Sequence, residues 1–266
     1  MTRWNLPILF QNKHYIIVNK PNGVLSQSPD LRTWWLHHKY EPPVLMDLLR
    51  TQYPDICQAQ WRTVHRLDAT VTGGILISCT RTAASKFSKN LALGGNSGYK
   101  FTRKYIALVT GSSIDSFPDE GRLMINDMVS DYKRLGDNLV LFQLHTGKKH
   151  QIRIQLSKVF QQPIVNDVKY GADAIPNLED IIGLHSALIS TEIGLTRENH
   201  LIPIPCDSNA RKLWNGYVDA NGEFNDLITE SLYDFSLPSR LDRILKITPA
   251  GSTNIQIAYK SKIGSF

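Results

Sequence analysis

The chain has 266 residues, 42% apolar and 20% charged, with a formal net charge of +6. That length suits one large core, or a core with a small appendage, and the ordinary composition excludes a disordered chain. No apolar run approaches the ~20 residues of a membrane span, and the scattered Cys57, Cys79 and Cys206 offer neither a disulfide framework nor zinc-ligand spacing.

Such cysteine usage fits a reducing compartment: cytosol, nucleus or mitochondrial matrix. The apolar stretch at 6–10 is too short for the core of a secretory signal.

Residues 14–19 have the β-branched and aromatic content of a strand. Lys20-Pro21-Asn22-Gly23 then turns, because proline fixes φ and glycine permits φ > 0. Residues 26–43 read as a polar loop, whose Trp34 and Trp35 fit a hydrophobic anchor better than a base-stacking platform. Leu45, Leu48 and Leu49 give 44–52 helical spacing.

Next, His65-Arg66-Leu67-Asp68 sets a carboxylate beside a cation, just ahead of a buried-type strand at 73–78. Ions beside a buried strand are costly unless paired or used there. A helix is expected over 83–93, closed by Gly94-Gly95, with a flexible loop at 94–98.

Strands are expected at 104–109, 139–144 and 183–190, and a solvated excursion at 112–138. Residues 151–159 are ambiguous. Ile152, Ile154 and Leu156 alternate as in a strand, whereas Ile152, Leu156 and Val159 share a helical face. In the last sixty residues, 211–218 reads as a helix and 255–259 as a strand.

The charge is uneven. Residues 207–266 are neutral, with seven Lys/Arg against seven Asp/Glu. Residues 81–109 carry Arg81, Lys86, Lys89, Lys100, Arg103 and Lys104 with no acid, a footprint suited to a polyanion.

The run His65-Arg66-Leu67-Asp68-Ala69-Thr70-Val71-Thr72-Gly73 resembles the His-Arg-Leu-Asp-x-x-Thr-Ser-Gly signature of the RluA family of pseudouridine synthases. Val71 and Thr72 depart from it. Lys20-Pro21-Asn22-Gly23, the strand around Tyr105, Gly147-Lys148-Lys149-His150-Gln151-Ile152-Arg153, the run from Pro163 to Gly171 and Leu184-His185-Ser186 resemble the family's other motifs, in its order. Lys148 and Lys149 replace Arg and Thr, and lysine lacks the planar fork of arginine.

The resemblance implies an α+β fold: a mixed, mostly antiparallel sheet with flanking helices and a central RNA-binding cleft. It implies a catalytic domain over 1–206 without the S4-type RNA-binding module of some members, a C-terminal extension over 207–266 packed on it, and a helix after Lys149. Asp68 would be the catalytic carboxylate and Arg153 its partner, while Tyr105 would stack on uracil and help remove the C5 proton. Arg66 would fill the space left by the flipped nucleotide. Further RNA contacts would come from His65, Lys104, Lys148, Lys149 and His150, with Lys86, Lys89 and Arg103 holding phosphates. His185 and the 163–171 run would be scaffold.

The implied reaction changes a uridine's linkage without redox chemistry, so no cofactor or metal is expected. The implied partner is RNA, ribosomal RNA favoured and transfer RNA the alternative, with no membrane and a monomeric enzyme. Residues 1–29 contain Arg3, Lys13 and Lys20 but no acid, compatible with mitochondrial targeting; cytoplasm or nucleus is the alternative. The likeness is to small fungal mitochondrial enzymes acting on large-subunit rRNA. Two other readings compete. One is a non-catalytic RNA-binding or ribosome-assembly factor on the same fold. The other is a nucleoside or glycoside hydrolase, which would want a second poised carboxylate.

Overall fold

The computed structural model describes residues 4–56, 60–95, 98–111, 117–178, 180–238, 240–247 and 254–260. In chain order the elements are β1 (Ile8–Gln11), β2 (Tyr15–Lys20), α1 (Leu31–His37), α2 (Leu45–Gln52), β3 (Arg62–Thr63), β4 (Thr72–Ser78), α3 (Arg81–Leu93), β5 (Tyr99–Leu108), β6 (Glu120–Ile125), β7 (Met128–Gly136), β8 (Leu139–Leu144), α4 (Gln151–Lys158), β9 (Leu184–Ile193), β10 (Thr196–Leu201), α5 (Ser208–Leu213), α6 (Asp226–Asp234), β11 (Arg243–Ile247) and β12 (Ile255–Tyr259).

The strands form one sheet in the order β1-β2-β4-β9-β5-β8-β7-β6-β12-β11, with β3 on β4 and β10 on β9. Among the described strand pairs only β4–β9 is parallel. The mixed, mostly antiparallel sheet is as expected.

Strand alternation sends successive side chains to opposite faces. On β2 and β4, Ile16, Val18, Ile75 and Ile77 meet Leu45 and Leu49 of α2. Tyr15, Ile17 and Leu76 instead meet Ala83 and Phe87 of α3. On β5 and β8, Tyr105, Ala107, Val140 and Phe142 pack with Ile152 and Leu156 of α4. Ile106, Leu108, Leu139 and Leu141 pack with α5, Trp214 and α6.

Gly73 sets the central seam. Its φ is +114°, and a Cβ there would lie 2.5 Å from the Ser186 carbonyl oxygen. Only glycine lets β4 pass this close to β9. Ser186 pairs with Gly73 on one side and Tyr105 on the other, next to a register shift between Lys104 and Tyr105. The turn before β4 therefore lies beside the tyrosine strand.

Several expectations need correction. Residues 31–37 of the expected loop are helical, N-capped by Asp30. This helix buries none of its residues, so no apolar face announced it. The expected excursion contains the β6–β7 hairpin, with Leu123, Ile125 and Tyr132 in the core. Its charges mislead because Asp131 is buried against Arg122 and His145. The helix expected at 211–218 lies at Ser208–Leu213, started by the Asp207 cap. The ambiguous 151–159 segment is helical over Gln151–Lys158. Residues 112–116, and 96–97 of the expected flexible loop, lie outside the described residues.

Residues beyond 206 supply the α5–α6 layer and two strands, β12 pairing with β6.

His185, under this layer, is fully buried between the Thr72 hydroxyl (2.8 Å from Nδ1) and the Ile202 carbonyl (3.0 Å from Nε2). Burial lowers its pKa from 6.5 to about 4. Between those values the unfolded chain binds the extra proton, so stability is full above pH 6.5 and falls as pH drops toward 4. The loss should reach about 3 kcal/mol. Urea titrations across this range should show the decline, with a flatter slope in His185→Gln.

Candidate active site

Two turns and one helix converge at the seam. The turn carrying Asp68 is held at both flanking peptides. Ser26 Oγ donates to the Leu67 carbonyl at 2.7 Å and accepts from the Leu67 amide at 3.0 Å. Lys20 Nζ, fully buried, donates to the carbonyls of Pro21, Val24 and Ala69 at 2.8, 3.0 and 3.3 Å. Burial lowers the Lys20 pKa to about 7, opposed by the charge of Asp68. The Lys-Pro-Asn-Gly turn is thus the socket of the aspartate turn.

The second turn leads into α4. Gln151 locks it: its side chain accepts from Thr146 Oγ1 (2.9 Å) and the Lys148 amide (3.1 Å) and donates to the Val129 carbonyl (3.1 Å) and Ser130 Oγ (2.8 Å). His150 caps the helix from the left-handed region, at φ 58°. That conformation is uncommon outside glycine.

One helical turn on, Arg153 is 6% exposed. Its Nε and Nη2 each donate to Asp167 at 2.7 Å, a bidentate pair, and its Nη1 donates to Asp68 Oδ2 at 2.9 Å. The Asp167 side chain is 1% exposed and that of Asp68 27%. Burial opposes the Arg153 charge, but hydrogen bonds to Asp167 and Asp68 outweigh it and raise its pKa. The Tyr170 ring packs beneath the guanidinium at 4.9 Å.

His150 Nε2 stands 3.5 Å from Asp68 Oδ2, and its Nδ1 is 2.7 Å from the Tyr170 hydroxyl. Burial, with Arg153, Lys169 and Lys149, lowers the His150 pKa against the opposing pull of Asp68. At neutral pH the ring is uncharged.

Asp68, Arg153, Tyr105, His150, Arg66, Arg103, Lys148 and Lys149 line a cavity of about 70 Å³. Tyr105 is 4% exposed. Burial raises its pKa, opposed by Arg103 and Ser186, so it is a neutral phenol. An open groove of about 690 Å³ adjoins, sharing Arg66, Arg103, Gly147 and Lys148.

The other sequence-derived residues divide. Arg66 is exposed, with Gln27 Oε1 at 3.4 Å from Nη1. Lys148 pairs with Asp127 at the rim. Lys86 lies over the Tyr99 ring at 4.9 Å, and neither it nor Lys89 lines the cavity or the groove. Lys104 is a correction. Strand alternation turns it away from Arg103 and Tyr105, and its buried Nζ donates to the Leu232 and Phe235 carbonyls, both at 2.7 Å. It fastens α6 and cannot reach RNA. His65 lines the groove, and its Nε2 accepts the Leu76 amide at 2.9 Å, pinning the aspartate turn to β4.

Lys20, Ser26, Asp167 and Tyr170 were missed as site residues. For Asp167 and Tyr170 the available signal was the 163–171 run, read from sequence as scaffold; Ser26 gave none. Asp167 also answers the hydrolase reading. Both its oxygens are committed to Arg153, and among the described residues lining the cavity Asp68 has no second carboxylate beside it to serve as acid or base.

Residues 14–158 match the family described as RNA pseudouridylate synthase. The chain belongs to this family, within its RluA group, and is an RNA pseudouridine synthase, an isomerase. It is similar to the 21S rRNA pseudouridine(2819) synthase of Eremothecium gossypii, 52% identical over 98% of this chain and 100% of that protein. The protein of the same name from Saccharomyces cerevisiae is 41% identical over 86% of this chain and 96% of its own. A human structure, RNA Pseudouridylate Synthase Domain Containing 1, superposes with TM-score 0.55 at 18% identity, covering 88% of this chain and 97% of that one. It shares the fold.

Asp167→Asn should leave a buried guanidinium half paired, costing about 3–5 kcal/mol in urea denaturation. Turnover should fall about a hundredfold, because Arg153 no longer fixes the Asp68 rotamer.

Proposed function

We propose that this isomerase acts on a uridine of mitochondrial large-subunit rRNA, with Asp68 as the catalytic carboxylate. The observation that carries the site assignment is the 2.9 Å bond from Arg153 to Asp68 at a cavity shared with Tyr105. The substrate assignment is supported by the high identity to proteins named for 21S rRNA, a mitochondrial species.

In this reading the N1–C1′ bond breaks, the uracil rotates, and a C5–C1′ bond forms. The Asp68 carboxylate, free again once the C5–C1′ bond has formed, takes the C5 proton, and N1 gains one from solvent, so composition is unchanged. Asp68 presents its free oxygen to the sugar carbon, held in one rotamer by Arg153. Tyr105, a neutral buried phenol, supplies a flat face for the base rather than a proton acceptor. Arg66, exposed at the cavity mouth, fills the gap left in the RNA. Extrusion costs a few kcal/mol, less from a loop, and this filling offsets part of it. Lys148, Lys149 and His150 present the α4 N-terminus to the RNA.

Chemical sequencing of pseudouridine, in cells with and without the gene, tests the substrate. One large-subunit site in mitochondrial rRNA should disappear; loss of a tRNA site instead would overturn the assignment. Asp68→Asn should bind RNA about as well as wild type and lose turnover on the order of ten-thousandfold. Normal turnover by this variant would refute the role of Asp68.

A further inference from the structure

Arg103 is a buried charge with a donor to spare. It is 5% exposed, one hydrogen bond reaches the Tyr105 hydroxyl, its Nε is buried without a partner, and among the described residues it takes part in no ion pair. The other buried cations at the seam are satisfied: Arg153 by two aspartates, Lys20 and Lys104 by carbonyls. A guanidinium kept from water without a counter-ion is costly, and folded proteins rarely keep one without a use.

Its position is specific. Arg103 lies two residues before Tyr105, on the same face of β5, and lines both the catalytic cavity and the adjoining groove. Its guanidinium carbon is 5.6 Å from the Phe101 ring centroid, which braces it on one side. On another side stands Gly147, where a Cβ would come within 3.5 and 3.6 Å of Nη2 and Nη1. The missing side chain leaves the fork open.

We infer that Arg103 binds a backbone phosphate of the RNA, next to the extruded uridine, as the strand passes from the groove into the cavity. The inference rests on the RNA reading above and identifies one anchor within it. A phosphodiester has the charge and the two coplanar oxygens that a guanidinium fork matches. Lys148 is held by Asp127 and Arg66 is exposed, so neither offers an equally preorganised cation.

The test starts with Arg103→Met, which removes the charge and keeps the stem. In urea denaturation without RNA this variant should be as stable as wild type or more so; a merely structural arginine would lose stability. Affinity for a synthetic RNA spanning the large-subunit target, read by fluorescence anisotropy, should fall about ten- to hundredfold. Arg103→Lys should recover part of it, and Gly147→Ala, which covers the fork, should weaken binding.

A scan of that RNA with neutral methylphosphonate linkages should find one linkage beside the uridine that weakens wild type and leaves Arg103→Met unaffected. If every linkage costs both proteins alike, the phosphate assignment falls and the RNA reading stands. A wild type that neither binds nor modifies RNA removes both.

Discussion

One guanidinium divided between two carboxylates organises this protein. Arg153 gives two donors to the sealed Asp167 and a third to the more open Asp68. The bidentate pair fixes the plane of the fork, so the remaining N–H has one direction. Asp68 meets a cation that is already held. The strong pair is therefore structural, and the single bond is where that structure meets the carboxylate we propose acts on the sugar.

That arrangement needs three segments brought to one place. The aspartate turn is gripped by Ser26 and Lys20. The α4 turn is locked by Gln151. Asp167 precedes a 3-10 turn at Val168–Tyr170, from which Tyr170 reaches both Arg153 and His150. Each grip is a hydrogen bond in low dielectric, where a satisfied network is stiff and an unsatisfied one is expensive. The site's precision follows from buried polar groups with few alternatives.

The β5 strand serves both sides of the sheet. Arg103 and Tyr105 face the cavity, while Lys104 between them closes the α6 helix end. Residues beyond 206 thus secure the back of the strand that carries the tyrosine. Sequence reading grouped Arg103 and Lys104 as two cations of one basic stretch, and period-two alternation separates them.

The motifs made Asp68, Tyr105 and Arg153 legible, because each sits in a run whose neighbours are constrained too: glycine at Gly73, glutamine at Gln151. Strands with alternating or wholly apolar content, such as β2, β4 and β8, were equally plain. The α1 helix and the β6–β7 hairpin were not, since one buries nothing and the other hides charges by pairing them. The roles of Lys20, Asp167 and Lys104 depend on contacts with residues distant in sequence, or on which face of a strand is covered. The linear chain thus determined the chemical groups and the local elements that carry them. Only tertiary structure decided which charges were paired, which were sealed and which stayed open to a ligand, because burial and long-range hydrogen bonding are properties of the folded chain.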